Sequence, residues 1–285
     1  MKPESSIKEA LSFGMNMLAS QEEAHREAEI LLQQALQVSR TYLFAHPEQR
    51  LSQEQATLYQ QALTQRQQGT PIAYILGHRE FWSLDLVVTP DTLIPRPETE
   101  RLVETALALL DPAAPLSILD LGTGSGAIAL ALATECPDWQ ITACDQSSKA
   151  LNVAQNNAQR LGLAHINFMV SDWFAAFHQQ LFDAIVSNPP YLSATDSHLT
   201  QGDLRFEPES ALVSGIDGLE ALRFIIQHSY NHLQENGILL LEHGYDQAAA
   251  VKKLLEQHGY GDIQCWQDWQ GLDRVSGGKR LKSSF

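Results

Sequence analysis

The sequence is poor in cysteine and in basic residues, and it has no long apolar run. Its three cysteines, Cys136, Cys144 and Cys265, show no CxxC spacing, which argues against a disulfide framework or a zinc knuckle and is typical of a cytoplasmic protein. The 19 Lys and Arg against 34 Asp and Glu give a net charge of -15, which argues against a broad nucleic-acid surface. The longest apolar run, near Ala127 to Ala133, is too short to cross a bilayer, and the N-terminus lacks the apolar core of a signal peptide. We therefore expect neither export nor membrane insertion.

Residues 1–80 have the apolar pattern of helices. Ser6 and Glu9 have the spacing of a capping box, and apolar residues recur at helical intervals after it. Further helices are expected from about 24 to 38 and from 52 to about 68, with glutamine on the solvated face. At 285 residues, 44% of them hydrophobic, the chain is long enough for about two domains. Residues 1–80 are predicted to form a small helical domain.

Residues 81–100 are predicted to form a hairpin-like linker. A strand pattern extends from Phe81 to Val88, and Pro90-Asp91 indicates a turn after it. The segment Ile94-Pro95-Arg96-Pro97-Glu98-Thr99-Glu100 carries two prolines that enforce extended backbone, and Pro97 suits the first turn of the helix that follows.

In residues 101–285, strands alternate with helices. The five predicted strands are Leu116 to Asp120, Ile141 to Cys144, Ile166 to Val170, Phe182 to Ser187 and Ile238 to Glu242. Such alternation is typical of a mostly parallel sheet with helices on both faces, and ligands of these sheets bind at the carboxyl ends of the strands. The fold class predicted is α/β, with a Rossmann-like domain after the helical N-terminal domain.

A glycine-rich loop follows the first of these strands. The residues Asp120-Leu121-Gly122-Thr123-Gly124-Ser125-Gly126 lead into a helix, and the alternate glycines allow the backbone to approach a ligand closely. Asp145 ends the next strand, where its carboxylate can accept hydrogen bonds from ribose hydroxyls. The pattern indicates nucleoside binding, although Gly122, Gly124 and Ala127 also satisfy the dinucleotide pattern G-x-G-x-x-G/A.

Two features favour S-adenosylmethionine over a nicotinamide. Gly126 gives the pattern G-x-G-x-G, as in Rossmann-like methyltransferases, and Ser171-Asp172-Trp173 follows the third strand. There Asp172 can accept a hydrogen bond from an adenine amine, while Trp173 offers an apolar face and its backbone.

The segment Asn188-Pro189-Pro190-Tyr191 follows the fourth strand, beside the expected cofactor. The prolines have a fixed φ and no N–H, so they form a rigid corner with carbonyl acceptors, and the Asn188 side-chain oxygen adds another acceptor. Two acceptors that hold both N–H bonds of a planar amide or aromatic amine would orient its nitrogen, and Tyr191 would stack on the planar group. Catalysis would then rest on alignment and electrostatic complementarity, without a strong general base.

Three segments together resemble the protein-(glutamine-N5) methyltransferases of the PrmC/HemK type, which modify peptide chain release factors: Asn188 to Tyr191, Asp120 to Gly126 and Ile94 to Glu100. The resemblance spans nearly the whole chain and includes Gly77 to Phe81 and Arg205 to Pro208. It implies methyl transfer from S-adenosyl-L-methionine to the amide nitrogen of the glutamine in a Gly-Gly-Gln loop of the release factor. Residues 1–80 would dock this substrate, because residues 101–285 look complete as a catalytic domain without them.

The resemblance also implies the site residues. Catalysis and substrate binding are expected at Asn188, Pro189, Pro190 and Tyr191. Cofactor contacts are expected at Asp120, Gly122, Thr123, Gly124, Ser125, Gly126, Asp145, Asp172, Trp173 and Asn188.

Three alternatives share parts of these patterns. A ribosomal-protein glutamine methyltransferase would have the same Asn-Pro-Pro-Tyr motif, but Pro97-Glu98-Thr99-Glu100 favours the release-factor type. A nucleic-acid adenine-N6 methyltransferase would act on an amine of similar geometry after base flipping, and the charge of -15 counts against it. A nonenzymatic nucleoside-binding or adaptor protein would bind the cofactor without methyl transfer. The sequence does not determine the oligomeric state.

Other polar clusters carry weaker signals. His228 and His232 have i, i+4 spacing, but no HExxH glutamate accompanies them, so we predict solvated helix histidines and no metal site. Glu242-His243 ends the fifth strand, where a catalytic pair and a structural role both remain open. A solvated edge strand is expected for the basic residues Arg274, Lys279 and Arg280.

Overall fold

The computed structural model describes residues 4–19 and 21–282. The helices are α1 (Ile7–Met17), α2 (Ala24–Leu36), α3 (Arg40–Ala45), α4 (Gln53–Gln67), α5 (Ile72–Leu76), α6 (Glu100–Leu109), α7 (Ala127–Glu135), α8 (Ser148–Arg160), α9 (Glu220–Ser229) and α10 (Ala248–Gln257). The strands are β1 (His78–Phe81), β2 (Leu84–Val87), β3 (Ser117–Leu121), β4 (Gln140–Asp145), β5 (Asn167–Val170), β6 (Phe182–Ser187), β7 (Leu233–Glu242), β8 (Tyr260–Gln267) and β9 (Asp273–Arg280). None of the helices in the described ranges is both long enough and apolar enough to span a bilayer.

The chain divides into two compact units. The first comprises Met1–Gly77 with Thr200–Phe206, and the second comprises His78–Leu199 with Glu207–Phe285. Helices α1 to α5 belong to the first unit, and the hairpin β1–β2 belongs to the second.

Helix caps and one buried tyrosine organise the first unit. The Ser6 hydroxyl accepts from the Glu9 N–H at 3.3 Å and the Glu9 carboxylate accepts from the Ser6 N–H at 2.8 Å, which confirms the predicted capping box. Tyr59 is fully buried, and its hydroxyl donates to the Ala28 carbonyl at 3.2 Å. A Cβ atom at Gly14 would lie 2.0 Å from the Tyr59 hydroxyl oxygen, so only glycine lets α1 pack this closely on α4.

A buried ion pair holds the segment 200–206 within the first unit. Arg66 donates to both carboxylate oxygens of Glu27, at 2.7 and 2.9 Å, and to Asp203 at 2.8 Å. A planar guanidinium has enough N–H donors to bond two carboxylates at once. The pKa of Arg66 is shifted upward: burial lowers it, but hydrogen bonds and charge from Glu27 and Asp203 outweigh that effect.

The hairpin differs from the expected single strand Phe81 to Val88. Its turn lies at Trp82 and Ser83, whose φ values of 53° and 58° are in the left-handed region used by two-residue hairpin turns. The predicted turn at Pro90-Asp91 is present, since the Thr92 N–H donates to the Thr89 carbonyl at 3.0 Å, but the turn at Trp82 and Ser83 was not predicted. Neither turn residue is Gly, Asn or Asp, so the sequence lacked the residues that favour a hairpin turn with left-handed backbone.

The second unit contains a seven-stranded sheet in the order β5-β4-β3-β6-β7-β9-β8. Strands β5, β4, β3, β6 and β7 pair in parallel, and β9 pairs antiparallel with both of its neighbours. Adjacent residues on one strand serve opposite faces, since Ile118 belongs to one apolar core and Leu119 to another. The α/β, Rossmann-like prediction is confirmed, and the strand order reverses between β3 and β6.

The basic C-terminal strand is not at the edge of the sheet. Strand β9 lies between β7 and β8, so the expectation of a solvated edge strand for Arg274, Lys279 and Arg280 was wrong. Its interior is tightly packed, because a Cβ atom at Gly277 would lie 2.5 Å from the Leu239 carbonyl oxygen. Each basic side chain meets a local partner: Arg274 pairs with Asp268 at 3.2 Å, Lys279 pairs with Asp262 at 3.2 Å, and Arg280 lies over the Tyr230 ring.

Candidate active site

A cavity of about 510 Å³ opens at the carboxyl ends of β3, β4, β5 and β6. This is the point where the strand order reverses, and open parallel sheets bind ligands at such a crevice. Of the predicted site residues, the cavity is lined by Gly122, Gly124, Asp145, Asp172, Trp173, Asn188 and Pro190. Four separate loops thus contribute to one cavity.

The glycine loop follows β3 and has the backbone conformation that its sequence suggests. Gly122, Gly124 and Gly126 have φ values of 71°, 57° and 88°, all in the left-handed region. A Cβ atom at Gly126 would press on α7 and α8, because it would lie 3.0 Å from a Leu130 methyl carbon and 3.2 Å from the Ala154 Cβ. At Gly124, by contrast, a Cβ atom would meet no atom of the described residues within 4 Å. The loop therefore packs tightly against α7 and α8 at Gly126 and leaves open space at Gly124.

Asp145 ends β4 and contacts both the glycine loop and the next helix. Its carboxylate accepts from the Gly124 N–H at 3.0 Å and from the Ser147 N–H at 2.8 Å. Burial raises the pKa of Asp145, and the two backbone donors oppose this rise by stabilising the charged form. Each carboxylate oxygen has a second acceptor position, so the group has capacity for hydroxyl donors in the cavity.

Asp120 lies underneath the loop, outside the cavity lining. Its side chain is fully buried and accepts from the Thr123 hydroxyl at 2.7 Å. Burial raises the pKa of Asp120 to about 7, the Thr123 hydroxyl and the Ala129 N–H lower it, and the Asp145 carboxylate raises it further. Asp120 thus supports the loop through Thr123, and its direct contact with a cofactor stays a prediction. Thr123, Ser125 and Gly126 also lie outside the lining residues.

The segment after β5 presents Asp172 and Trp173 to the cavity. Trp173 has a φ of 46°, a strained value for a bulky residue. The Ser171 hydroxyl fixes this turn, because it donates to the Trp173 carbonyl at 2.7 Å and accepts from the Ala176 N–H at 3.1 Å. The indole is thus held against the cavity by its own turn.

The Asn-Pro-Pro-Tyr segment begins directly after β6, which ends at Ser187. The Asn188 amide nitrogen donates to the Thr99 hydroxyl oxygen at 3.1 Å, so its Oδ1 atom remains as an acceptor. Pro190 lines the cavity, and Pro189 is buried.

Tyr191 ends the segment and packs into the protein. Its ring packs against an apolar core of the sheet, its hydroxyl donates to Glu242 Oε1 at 3.3 Å, and it is not among the lining residues. Burial raises the pKa of the Tyr191 phenol, and the charge of Glu242 adds to the rise. These contacts hold the segment in place, and the stacking of Tyr191 on a substrate stays a prediction.

Glu242 and His243, left open from the sequence, do not form a pair with each other. His243 is bonded to the Gly244 carbonyl at 2.8 Å through Nδ1 and to the Ser276 hydroxyl at 2.8 Å through Nε2. Burial lowers the pKa of His243 and so favours the neutral ring, and its two hydrogen-bond partners give it a structural role.

The two other histidines also have local partners. His228 stacks on Phe224 with 4.1 Å between ring centroids, and His232 is buried and bonded to the Gln180 carbonyl at 3.1 Å. His232 was expected to be solvated, and its burial corrects that expectation. Over residues 4–19 and 21–282 no group of three or more His, Cys, Asp or Glu is arranged to hold a metal ion.

Two residues that the sequence did not single out for a site position its loops. Asn157 of α8 is buried and bonds both backbone groups of Val87 and the Ser125 carbonyl. Glu207 accepts from the Ile94 N–H at 3.0 Å and from Arg96. The other buried residues of α8 are apolar. A single polar residue such as Asn157 within an apolar helical stripe is the sequence signal that could have predicted a buried hydrogen-bonding role.

Comparisons with known proteins agree with this geometry. Residues 9–77 match the family model described as PrmC N-terminal domain, and residues 101–205 match the one described as Methyltransferase small domain. The release factor glutamine methyltransferase of Xylella fastidiosa is 49% identical over 253 residues, 89% of this chain and 92% of that protein. The release factor glutamine methyltransferase of Escherichia coli is 48% identical over 273 residues, 96% of this chain and 97% of that protein.

A solved structure supports the fold independently. A methyltransferase from Pyrococcus furiosus superimposes with a TM-score of 0.53 at 18% identity, over 70% of this chain and 90% of that chain. The cavity at the reversal of strand order, the glycine loop and the near full-length identity to these relatives point to one conclusion. The chain belongs to the family of release factor glutamine methyltransferases.

Proposed function

We propose that this protein transfers a methyl group from S-adenosyl-L-methionine to the side-chain amide nitrogen N5 of the glutamine in the Gly-Gly-Gln motif of peptide chain release factors. The observation that carries the proposal is the orientation of Asn188, whose nitrogen is engaged by Thr99 at 3.1 Å while the residue lines the same cavity as the glycine loop. Asn188 Oδ1 can therefore accept a hydrogen bond from a substrate N–H. The names of the relatives specify the same kind of substrate.

The cavity lining fits S-adenosyl-L-methionine. Its volume of about 510 Å³ is within the range of small-molecule sites, and the open space at Gly124 allows a ligand to reach the backbone. Asp145 would accept from the ribose hydroxyls, Asp172 would accept from the adenine amine, and Trp173 would pack on the base. When bound, this cofactor supplies a methyl group made electrophilic by a positively charged sulfur.

The protein contributes orientation and electrostatics. Asn188 Oδ1 and a carbonyl oxygen of the Pro189-Pro190 corner would hold the two N–H bonds of the substrate amide. An amide nitrogen is a weak nucleophile because its lone pair is delocalised, and two fixed acceptors favour the pyramidal, positive nitrogen that forms as the methyl arrives. The N–C bond would form as the sulfur–methyl bond breaks, and the nitrogen would then release one proton to solvent water. Because the acidity of that nitrogen rises sharply on methylation, the reaction needs no strong general base.

We assign substrate docking to the first unit, the helices α1 to α5 with residues 200–206. The second unit contains the whole cavity lining, so these helices are available for a separate task. Hydrogen–deuterium exchange on the full chain, with and without a release factor, tests this assignment. Protection within residues 7–76 is expected on binding, and protection confined to the second unit would contradict it.

The function is tested by incubating the enzyme with labelled cofactor and purified release factor, followed by mass spectrometry of the Gly-Gly-Gln peptide. We expect one methyl group on the glutamine. Asn188→Ala should lower kcat by about 100-fold or more while the cofactor Kd changes only a few-fold, since the amide acts on the acceptor. The matched control is Asn231→Ala at an exposed position of the same unit, which should retain full activity.

The same assay separates the alternatives. Methylation of a ribosomal-protein glutamine or of adenine in nucleic acid, with the release factor unlabelled, would refute the proposed substrate. Cofactor binding without transfer to any of these acceptors would indicate a nonenzymatic protein.

The proposed substrate assigns the enzyme to translation termination. A cytoplasmic location goes with this assignment. Fractionation of cells that express the tagged full chain should recover it with the cytoplasmic release factors, and recovery in another compartment would contradict the location.

A further inference from the structure

Glu242 is a buried carboxyl group that lies beside the substrate-binding segment. It ends β7, whose Leu241 pairs with Ser187 of β6, so Glu242 lies alongside the start of the Asn-Pro-Pro-Tyr segment. The residue has no solvent exposure. Its Oε1 atom accepts from the Tyr191 hydroxyl at 3.3 Å. Its Oε2 atom is also buried and makes no hydrogen bond of ordinary geometry within residues 4–19 and 21–282.

Thr99 connects this carboxyl group to Asn188. The Thr99 side chain lies close enough to Glu242 to favour its charged form more strongly than any other neighbour, although among the described residues no hydrogen bond of ordinary geometry reaches Oε2. The same hydroxyl oxygen accepts from the Asn188 amide nitrogen at 3.1 Å. A hydroxyl has one hydrogen, so if that hydrogen points to Glu242, the oxygen can only accept from Asn188. The three side chains then form one directional chain of donors, from Asn188 through Thr99 to Glu242.

The direction of this chain decides which end of the Asn188 amide faces the substrate. An ionised carboxylate only accepts, so it fixes the Thr99 hydrogen, and Thr99 in turn selects the amide nitrogen of Asn188. Asn188 Oδ1 is then free to accept from the substrate. With the amide reversed, an NH2 group would face the NH2 group of the substrate, and the two donors would repel each other.

We propose that Glu242 is a positioning residue that, through Thr99, keeps the Oδ1 atom of Asn188 available to the substrate amide and, through its hydroxyl bond, keeps Tyr191 in place. This inference rests on the proposed function, because it explains how the acceptor of that reaction is oriented. Glu242 itself lies behind the segment and does not reach the cavity lining.

Protonation of Glu242 should reverse the chain. A neutral carboxylic acid can donate to Thr99, whose hydrogen is then free to point at Asn188 and to select Oδ1 in place of the nitrogen. The groups that act on Glu242 are Thr99 and Glu98 of the turn before α6, Tyr191 of the loop after β6, and Arg274 of β9. Burial raises the pKa of Glu242 to about 7, Thr99, Arg274 and Tyr191 lower it, and Glu98 raises it. We therefore expect kcat to rise as the pH increases through about 7 and to level off above it.

The test compares Glu242→Gln with the matched control Glu235→Gln, which changes an exposed glutamate of the same strand. For Glu242→Gln, kcat should fall by about 10- to 100-fold, as expected for a misoriented reacting group. The KM for the release factor and the cofactor Kd, measured by calorimetry, should change by less than about threefold, and the step in the pH profile should disappear. Glu235→Gln should match the wild type in all of these measurements.

Thr99 provides a second variant in case Glu242→Gln fails to fold. Thr99→Val keeps the shape but removes the hydroxyl, and it should show the same loss of kcat. Thr99→Ser restores the hydroxyl and should recover activity to within about threefold of the wild type. The double variant Glu242→Gln with Thr99→Val should be no worse than either single variant, because both break one chain. Independent, multiplicative losses would overturn the proposed connection.

A readout on the free enzyme separates this inference from the proposed function. The side-chain amide signals of Asn188 in ¹⁵N–¹H spectra, assigned through their loss in Asn188→Ala, should shift with a midpoint near the pKa of Glu242 and should not titrate in Glu242→Gln. Failure of the wild type to methylate the release factor would refute the proposed function and leave this titration to decide the orientation. Signals that do not titrate in the wild type, or a Glu242→Gln enzyme with unchanged kcat and pH profile, would overturn the positioning role.

Discussion

Asn157 offers the sharpest test of how the glycine loop is held. Its side chain accepts from the Val87 N–H at 2.7 Å and donates to the Val87 carbonyl at 3.0 Å and to the Ser125 carbonyl at 2.9 Å. One buried amide thus joins the end of the hairpin to the glycine loop. Asn157→Leu keeps a similar volume and removes all three bonds.

The expected loss follows from counting these bonds. A buried hydrogen bond contributes about 1 kcal/mol, and three of them give a destabilisation of about 3 kcal/mol or more, since the backbone partners stay buried without a partner. In a domain of about 200 residues this corresponds to a fall in Tm of roughly 6–12 °C. Because the Ser125 carbonyl is released, the cofactor Kd should also rise.

Tryptophan fluorescence is the appropriate assay, because all five tryptophans lie in the unit that contains Asn157. The matched control is Asn156→Leu, which places the same substitution at the exposed neighbouring position of α8. It should change the free energy of unfolding by no more than about 0.5 kcal/mol. If both variants unfolded at the same temperature and bound the cofactor equally, the three bonds would not hold the loop.

Three further predictions concern the loop backbone, the first unit and pH. Gly124→Ala should weaken cofactor binding by about 10-fold more than Gly162→Ala, measured by calorimetry, because both glycines have a positive φ and open space but only Gly124 lines the cavity. Arg66→Met should lower the stability of the first unit by about 3–5 kcal/mol in circular dichroism, since it leaves a buried carboxylate uncompensated, whereas Arg26→Met at an exposed pair should change it by less than about 1 kcal/mol. Urea titrations should show that the free energy of unfolding of Asp120→Asn, taken relative to that of the wild type, increases as the pH rises from about 4 to about 7. The increase should be at most about 4 kcal/mol.

The sign for Asp120 follows from its raised pKa. The folded protein binds the proton more tightly than the unfolded chain does, so the favourable contribution of Asp120 is complete below the pKa of the unfolded state and is lost as the pH rises through about 7. The variant has no such titration. Equal pH dependence of the two proteins would contradict the burial of this carboxyl group. For the other two predictions, equal cofactor affinity of the two glycine variants, or equal stability of the two arginine variants, would contradict the reasoning.

Some features could be predicted because their causes are local in the sequence. The capping box at Ser6 depends on residues three positions apart, and the alternation of strands and helices follows from the period of apolar residues. The glycine loop follows a strand and precedes a helix, which also places it at a carboxyl end of the sheet. These signals were sufficient for the α/β fold class and for the four loops after β3, β4, β5 and β6, but not for residues 90–93 and 208–224, which also contribute to the cavity lining.

Other features needed the packed chain. The hairpin turn at Trp82 and Ser83 has left-handed backbone without a residue that favours it, so the pairing of β1 and β2 imposes the turn. Strand β9 is interior because the sheet places it between β7 and β8, and nothing in its own sequence distinguishes that position from an edge.

The sequence by itself determined the kind of fold, the order of the loops and the chemical character of the groups that meet there. Only the tertiary structure decided which side chains control one another: Thr99 meets Asn188 across 89 positions of the chain, and Glu242 reaches the segment because β7 lies beside β6. Periodicity and motifs report interactions between residues that are close in sequence. The direction of a buried hydrogen-bond chain depends on strand order and register, which are set by the packing of the whole sheet.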